Sequence, residues 1–289
     1  MIGDMRMASG GVRDVQKRHP PSLLIVVTSM CAVLYAIGSY LTGYIPSPWG
    51  MGQFRPAVII PSFFATIFGP MPAAIGAALG TLIADSAKHG YLYPGSFLAA
   101  VPGNFMGFYL FGYILKKRFS WGRFVLASNL TLSTANLIVA FLYVFLFKTL
   151  YLTDPKYVKM PLEVLTYLSI GLTIWWFVTM LPFVLLVTPL LIRATVAAYP
   201  SIVPDEVKAH RIREELPRMT FSLAVLVPGL VIIVIGLATT YTALADYTPL
   251  GAQLMFYASG IVLTVLGILI HARQRSPLQV RPKNRRRDN

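Results

Sequence analysis

Charge is the first thing this chain lacks. Of its 289 residues, 12% are Asp, Glu, Lys or Arg, against about 25% in soluble globular chains. A soluble chain of this length needs one or two cores wrapped in charged surface, and there are too few charges to coat them. That shortage excludes soluble enzymes and nucleic-acid-binding domains and leaves a polytopic membrane protein. Acids are especially scarce, 11 Asp+Glu against 25 Lys+Arg. Paired carboxylates inside apolar segments, which a proton or sodium relay would need, are missing. Cysteine is reduced to Cys31, inside an apolar run, so neither a disulfide nor a thiolate metal site is expected. The four histidines (His19, His89, His210, His271) are scattered over tails and loops, which argues against a zinc site. Neither a Gly-x-x-x-x-Gly-Lys-Ser/Thr phosphate loop nor a Gly-x-Ser-x-Gly nucleophile context occurs. The expectation is a non-enzyme without a cofactor or an energy source of its own, built for binding or as one subunit of a larger machine.

What the chain has in quantity is apolar length: 56% hydrophobic residues and a mean hydropathy of +0.65. Eight hydrophobic segments can be drawn, at about 22–41, 56–69, 72–84, 95–115, 124–147, 164–191, 219–240 and 249–271. At a rise of 1.5 Å per residue, about 20 residues cross the ~30 Å hydrocarbon layer. The second and third segments are shorter than that. Phe68-Gly69-Pro70-Met71-Pro72 separates them and can hardly continue a helix. A tight hairpin of two short or partly re-entrant helices follows, with ends that need protein neighbours.

Basic residues decide between one crossing and two in that hairpin. With two crossings and the N-terminus inside, 20 of the 25 Lys+Arg fall on the inner side, among them Arg6, Lys116, Arg193 and the tail from Arg273. Arg55, Lys88, Lys148, Lys156 and Lys159 stay outside. Merging the two segments gives at best 17 inside, so the positive-inside rule favours eight crossings with both termini cytoplasmic in the plasma membrane. The first 19 residues do not read as a cleaved signal peptide. The basic tail Arg281–Asn289 is read as an orientation signal attracted to anionic lipid, not as a nucleic-acid site. The expected organisation is a tail over 1–21, a membrane core over 22–199, a polar linker over 200–217, two further membrane helices over 218–272, and the tail 273–289.

Several faces are polar where lipid would penalise it. Thr166, Ser169, Thr173 and Trp176 follow helical spacing on the sixth segment, as do Asn129, Ser133 and Asn136 on the fifth. Asn104 lies near the middle of the fourth. Buried amides must be paired, so these faces point inward. Two readings stay open: hydrogen bonds that glue helices together, or a ligand pocket around Asn104, Asn136, Thr173 and Trp176, whose indole offers a surface for a ring. Two outer loops resemble lids, Thr42–Arg55 with Trp49, and Asp85–Gly95 with Tyr91 and Tyr93. Arg55 would suit a carboxylate or phosphate on a ligand, or equally a lipid headgroup. Small residues four apart, Ala32/Ala36, Gly76/Gly80 and Gly103/Gly107, permit close helix approach.

The order of these features carries a likeness. Ala32-x-x-x-Ala36, a Pro/Gly loop, Arg55-Pro-Ala-Val-Ile-Ile-Pro61, the turn Phe68-Gly-Pro70 and Gly76-Ala-Ala-Leu-Gly80 together resemble the S component of energy-coupling-factor (ECF) transporters. The S component is the substrate-binding membrane subunit of importers of vitamins and related micronutrients. The likeness covers Leu24–Lys117, and the fifth and sixth segments by length and polarity. It implies an all-α, six-helix substrate-binding core, to which this chain adds two C-terminal transmembrane helices. It also implies a micronutrient held near the outer face under the two loops, within reach of Trp49, Arg55, Asp85 and Tyr91. The implied partners are a coupling membrane subunit, met through Ala32 and Ala36, and two cytoplasmic ATPases. A self-contained secondary transporter or channel is the competing expectation.

Overall fold

The computed structural model describes residues 20–47, 51–210, 218–241, 245 and 250–275. The protein is 87% helical, with no strand among the described residues. Eight helices carry the architecture: α1 (Pro21–Thr42), α2 (Ile59–Phe68), α3 (Pro70–His89), α4 (Val101–Lys116), α5 (Trp121–Phe141), α6 (Leu162–Ala198), α7 (Arg218–Tyr241) and α8 (Leu250–Arg275). Wider π-helical turns lead into α4 (Ser96–Ala100) and extend α5 (Leu142–Tyr151). Short helical turns occupy Pro155–Val158 and Asp205–Ala209.

Six of these stretches are long and apolar enough to cross a membrane: 21–42, 96–116, 121–151, 162–198, 222–241 and 253–272. The protein is therefore of the multi-pass membrane type. The hairpin between α2 and α3 forms where the sequence places it. Gly69 turns the chain at φ +90°, a backbone that side-chain-bearing residues resist, and Pro70 starts α3, where its missing N–H costs nothing. The apolar stretch Pro56–Phe68 is too short to span the hydrocarbon layer. α3 runs five residues past the expected end at Ala84, because nothing breaks it before Gly90, which caps it in the left-handed conformation at φ +78°. α6 reaches 37 residues although Pro182 and Pro189 lie inside it.

Two compact units divide the chain, Met1–Arg211 and Ile212–Asn289. In the first, α1 packs along α3, α3 along α4, and α4 along α5, which in turn meets α6. The small-residue faces lie at these seams. A Cβ on Gly80 would sit 2.7 Å from the Ala32 carbonyl, and one on Gly107 would sit 2.5 Å from the Ala135 Cβ. Cys31 is fully buried beside Gly76. Ala32 and Ala36 are 4% and 6% exposed. The exposed face of α1 instead carries Ile25, Met30, Val33 and Ile37. In the second unit α7 and α8 pair closely where Gly229 faces Gly260, and Tyr257 donates to Thr240 Oγ1 at 3.0 Å.

Candidate substrate pocket

A cavity of about 240 Å³ lies in the first unit, walled by α1, the loop before α2, the end of α3, the start of α4, α5 and α6. Its residues arrive by helical period. Asp85, Lys88 and His89 sit one turn apart at the end of α3, Asn136 comes from α5, and Tyr143 from the π-helical stretch that extends it. Ser96 and Asn104 come from the first turns leading into and along α4.

Arg55 anchors one wall. Its Nη1 donates to Thr81 Oγ1 and its Nη2 to Asp85, in an ion pair 12% and 7% exposed. A buried guanidinium is tolerated only when paired and hydrogen-bonded, and here both terminal nitrogens are engaged within the protein. Lys88 donates to the Gly43 carbonyl and lies 5.2 Å over the Tyr44 ring, tying the end of α1 to α3. His89 Nδ1 is 2.7 Å from the Asp85 carbonyl. A carbonyl can only accept, so Nδ1 carries a proton. The imidazole stacks on Tyr93 at 3.8 Å and 3°, and Tyr93 meets Tyr143 hydroxyl to hydroxyl at 3.1 Å. Burial pushes the Tyr93 phenol above its ordinary pKa.

The opposite wall is a loop held by α6. Within it Ser47 N donates to Gly52 O (3.1 Å) and Phe54 N to Ile45 O (2.9 Å). Trp176 Nε1 donates to Gln53 O at 3.0 Å. Gly52, at φ +75°, lies against the indole so closely that a Cβ there would be 2.6 Å from Cζ2. Met51 is buried and receives the Tyr157 hydroxyl at 3.8 Å. Trp176 is thus both a wall of the cavity and the fastening of the loop above it.

Of the residues expected from sequence, the structure brings together Arg55, Asp85, Asn104, Asn136 and Trp176 around the cavity. Thr173 lies beside it, bonded to Ser169 O at 2.8 Å and reaching Asn136 O at 3.5 Å. Tyr91 is 59% exposed and packs edgewise on His89 and Tyr93. Trp49 lies outside the described residues. Most of the remaining polar stripe satisfies itself: Thr166, Ser169 and Asn129 bond carbonyls four residues back in their own helices. Sequence reasoning missed Tyr35, Gln53, Lys88, Tyr93, Ser96 and Tyr143 as wall residues. For Lys88 the signal was its position three residues after Asp85, and for Tyr143 its position seven after Asn136. Among the described residues no group of His, Cys, Asp and Glu is arranged to hold a metal ion. No family model, no curated protein and no solved structure matches this chain.

Proposed function

We propose that this chain is the substrate-binding membrane subunit of an ECF-type importer. In this reading it sits in the plasma membrane with both termini cytoplasmic and captures a small micronutrient at the outer face. It then passes the solute to a coupling membrane subunit driven by two cytoplasmic ATPases. The observation that carries the reading is the cavity of about 240 Å³, in which an ion pair, two amides and an indole converge under a fastened loop. Such a cavity, mostly apolar with a few placed polar groups, is the form small-molecule sites take. The lack of a phosphate loop fits a subunit that borrows its energy, and the inward bias of Lys and Arg sets the orientation. The first unit is the binding core, and α7 and α8 are an addition to it.

The test is ligand stabilisation of the purified chain. A solute present at 100 times its dissociation constant adds about 2.7 kcal/mol to stability, a clear rise in thermal midpoint. Water-soluble vitamins and nucleobase-like compounds are the panel, and Trp176→Ala should abolish the rise. Absence of any shift, with no solute co-purifying, removes the proposal. Eight helices are also enough for a carrier that works alone. Solute uptake by proteoliposomes holding only this chain would favour that second reading.

A further inference from the structure

The cavity wall holds two side-chain cations, Arg55 and Lys88, and one carboxylate, Asp85. The charge of Arg55 is paired with Asp85, and Thr81 accepts a second hydrogen bond from it. Among the described residues the ion pairs join Arg55 to Asp85 and Lys208 to Asp205, so Lys88 brings positive charge with no carboxylate of its own. An ammonium has three donors; one of them goes to Gly43 O, and the group also lies over the Tyr44 ring. Two further groups on the wall lack a strong partner. Ser96 Oγ, on a residue 1% exposed, has no hydrogen bond. Asn136 Nδ2 reaches only the Met180 sulfur at 3.8 Å, and a thioether is a weak acceptor. Buried polar groups without partners are costly, and a molecule in the cavity would relieve Asn136.

Size and shape narrow that molecule. Pockets for drug-sized ligands begin at about 300 Å³, so about 240 Å³ takes one ring or two fused rings. The Trp176 indole supplies a flat surface for such a ring. Arg55, Lys88 and Asp85 together leave the wall one net positive charge, which favours a carboxylate over a dianionic phosphate.

Resting on the pocket reading above, we infer that the ligand is a small N-heterocyclic monocarboxylate. Lys88 receives its carboxylate at the α3 end of the cavity, while Asn104 and Asn136 read the polar edge of its ring. Arg55 is a positioning residue that holds Asp85 and the wall.

Matched probes separate charge from shape: nicotinate against nicotinamide, and orotate against uracil, each titrated by thermal shift into the full chain in detergent. For at least one pair the acid is expected to bind about ten-fold or more tightly than its neutral partner, the size of a charge-assisted hydrogen bond. In Lys88→Gln the ratio of the two dissociation constants falls to near one, and in Lys88→Arg it returns. A neutral partner that binds as well as its acid overturns the inference and leaves the pocket reading standing. So does a Lys88→Gln variant that weakens both members by the same factor, because Lys88 would then only fasten the loop. If no probe of either charge shifts the wild-type chain and mass spectrometry finds no co-purified solute, both readings fall together.

Discussion

Arg55 illustrates how a residue's chemistry depends on what its neighbours leave free. Its position at a helix start suited a ligand anion or a lipid headgroup, yet both terminal nitrogens end on Thr81 and Asp85. Removing one partner of such a buried pair strands the other charge. Arg55→Ala should therefore cost about 3–5 kcal/mol of stability. The Arg55→Ala/Asp85→Ala double variant should recover part of that, as read by thermal unfolding in detergent. Trp176→Phe keeps a ring but loses the donor to Gln53 O. It should weaken the loop fastening by about 1 kcal/mol and raise hydrogen exchange over residues 44–54 more than elsewhere. Tyr93 titrates in the opposite sense from a paired acid. Burial holds its folded pKa above the ordinary value, so its contribution is whole below about pH 10 and is lost as pH rises past that. Tyr93→Phe should flatten the alkaline arm of a stability–pH curve. None of these engagements is visible in sequence, because each joins residues 25 or more positions apart or crosses from loop to helix.

Helices in this protein meet where side chains are smallest, since close backbone approach gains dispersion contacts that lipid does not supply better elsewhere. The pattern Gly103-x-x-x-Gly107 announces such a seam, and the structure assigns it to α5, with the Gly107 hydrogen pointing at Ala135. Gly107→Val should cost about 1–3 kcal/mol by overpacking and loosen α4 from α5. Gly122→Ala on α5, where a Cβ meets nothing within 4 Å, should be neutral or slightly stabilising. Equal destabilisation by both would contradict the packing argument. The elements themselves were legible: all eight hydrophobic segments became helices. The ends that shifted most, α3 to His89 and α6 to Ala198, did so because hydropathy falls at the membrane surface while backbone hydrogen bonding continues until Gly90 or Tyr199 stops it.

At the scale of the molecule, every wall residue of the cavity lies between Tyr35 and Met180, inside the first compact unit. A chain ending after Arg211 is thus expected to keep the cavity. If the ligand reading holds, its thermal response to the best probe should match that of the full chain within two-fold. Loss of the response would mean that α7 and α8 contribute to binding after all.

Composition and hydrophobic length by themselves determined that this is a helical, multi-pass membrane protein, and roughly where each helix runs. Those properties depend on local transfer and backbone hydrogen bonding, which a run of neighbouring residues sets alone. Which polar groups face a cavity, which spend themselves on their own helix as Ser169 does, and which cation is left over were decided only in three dimensions. A hydrogen bond or ion pair saturates its partners, and the count of what remains unsaturated exists only once the helices have met.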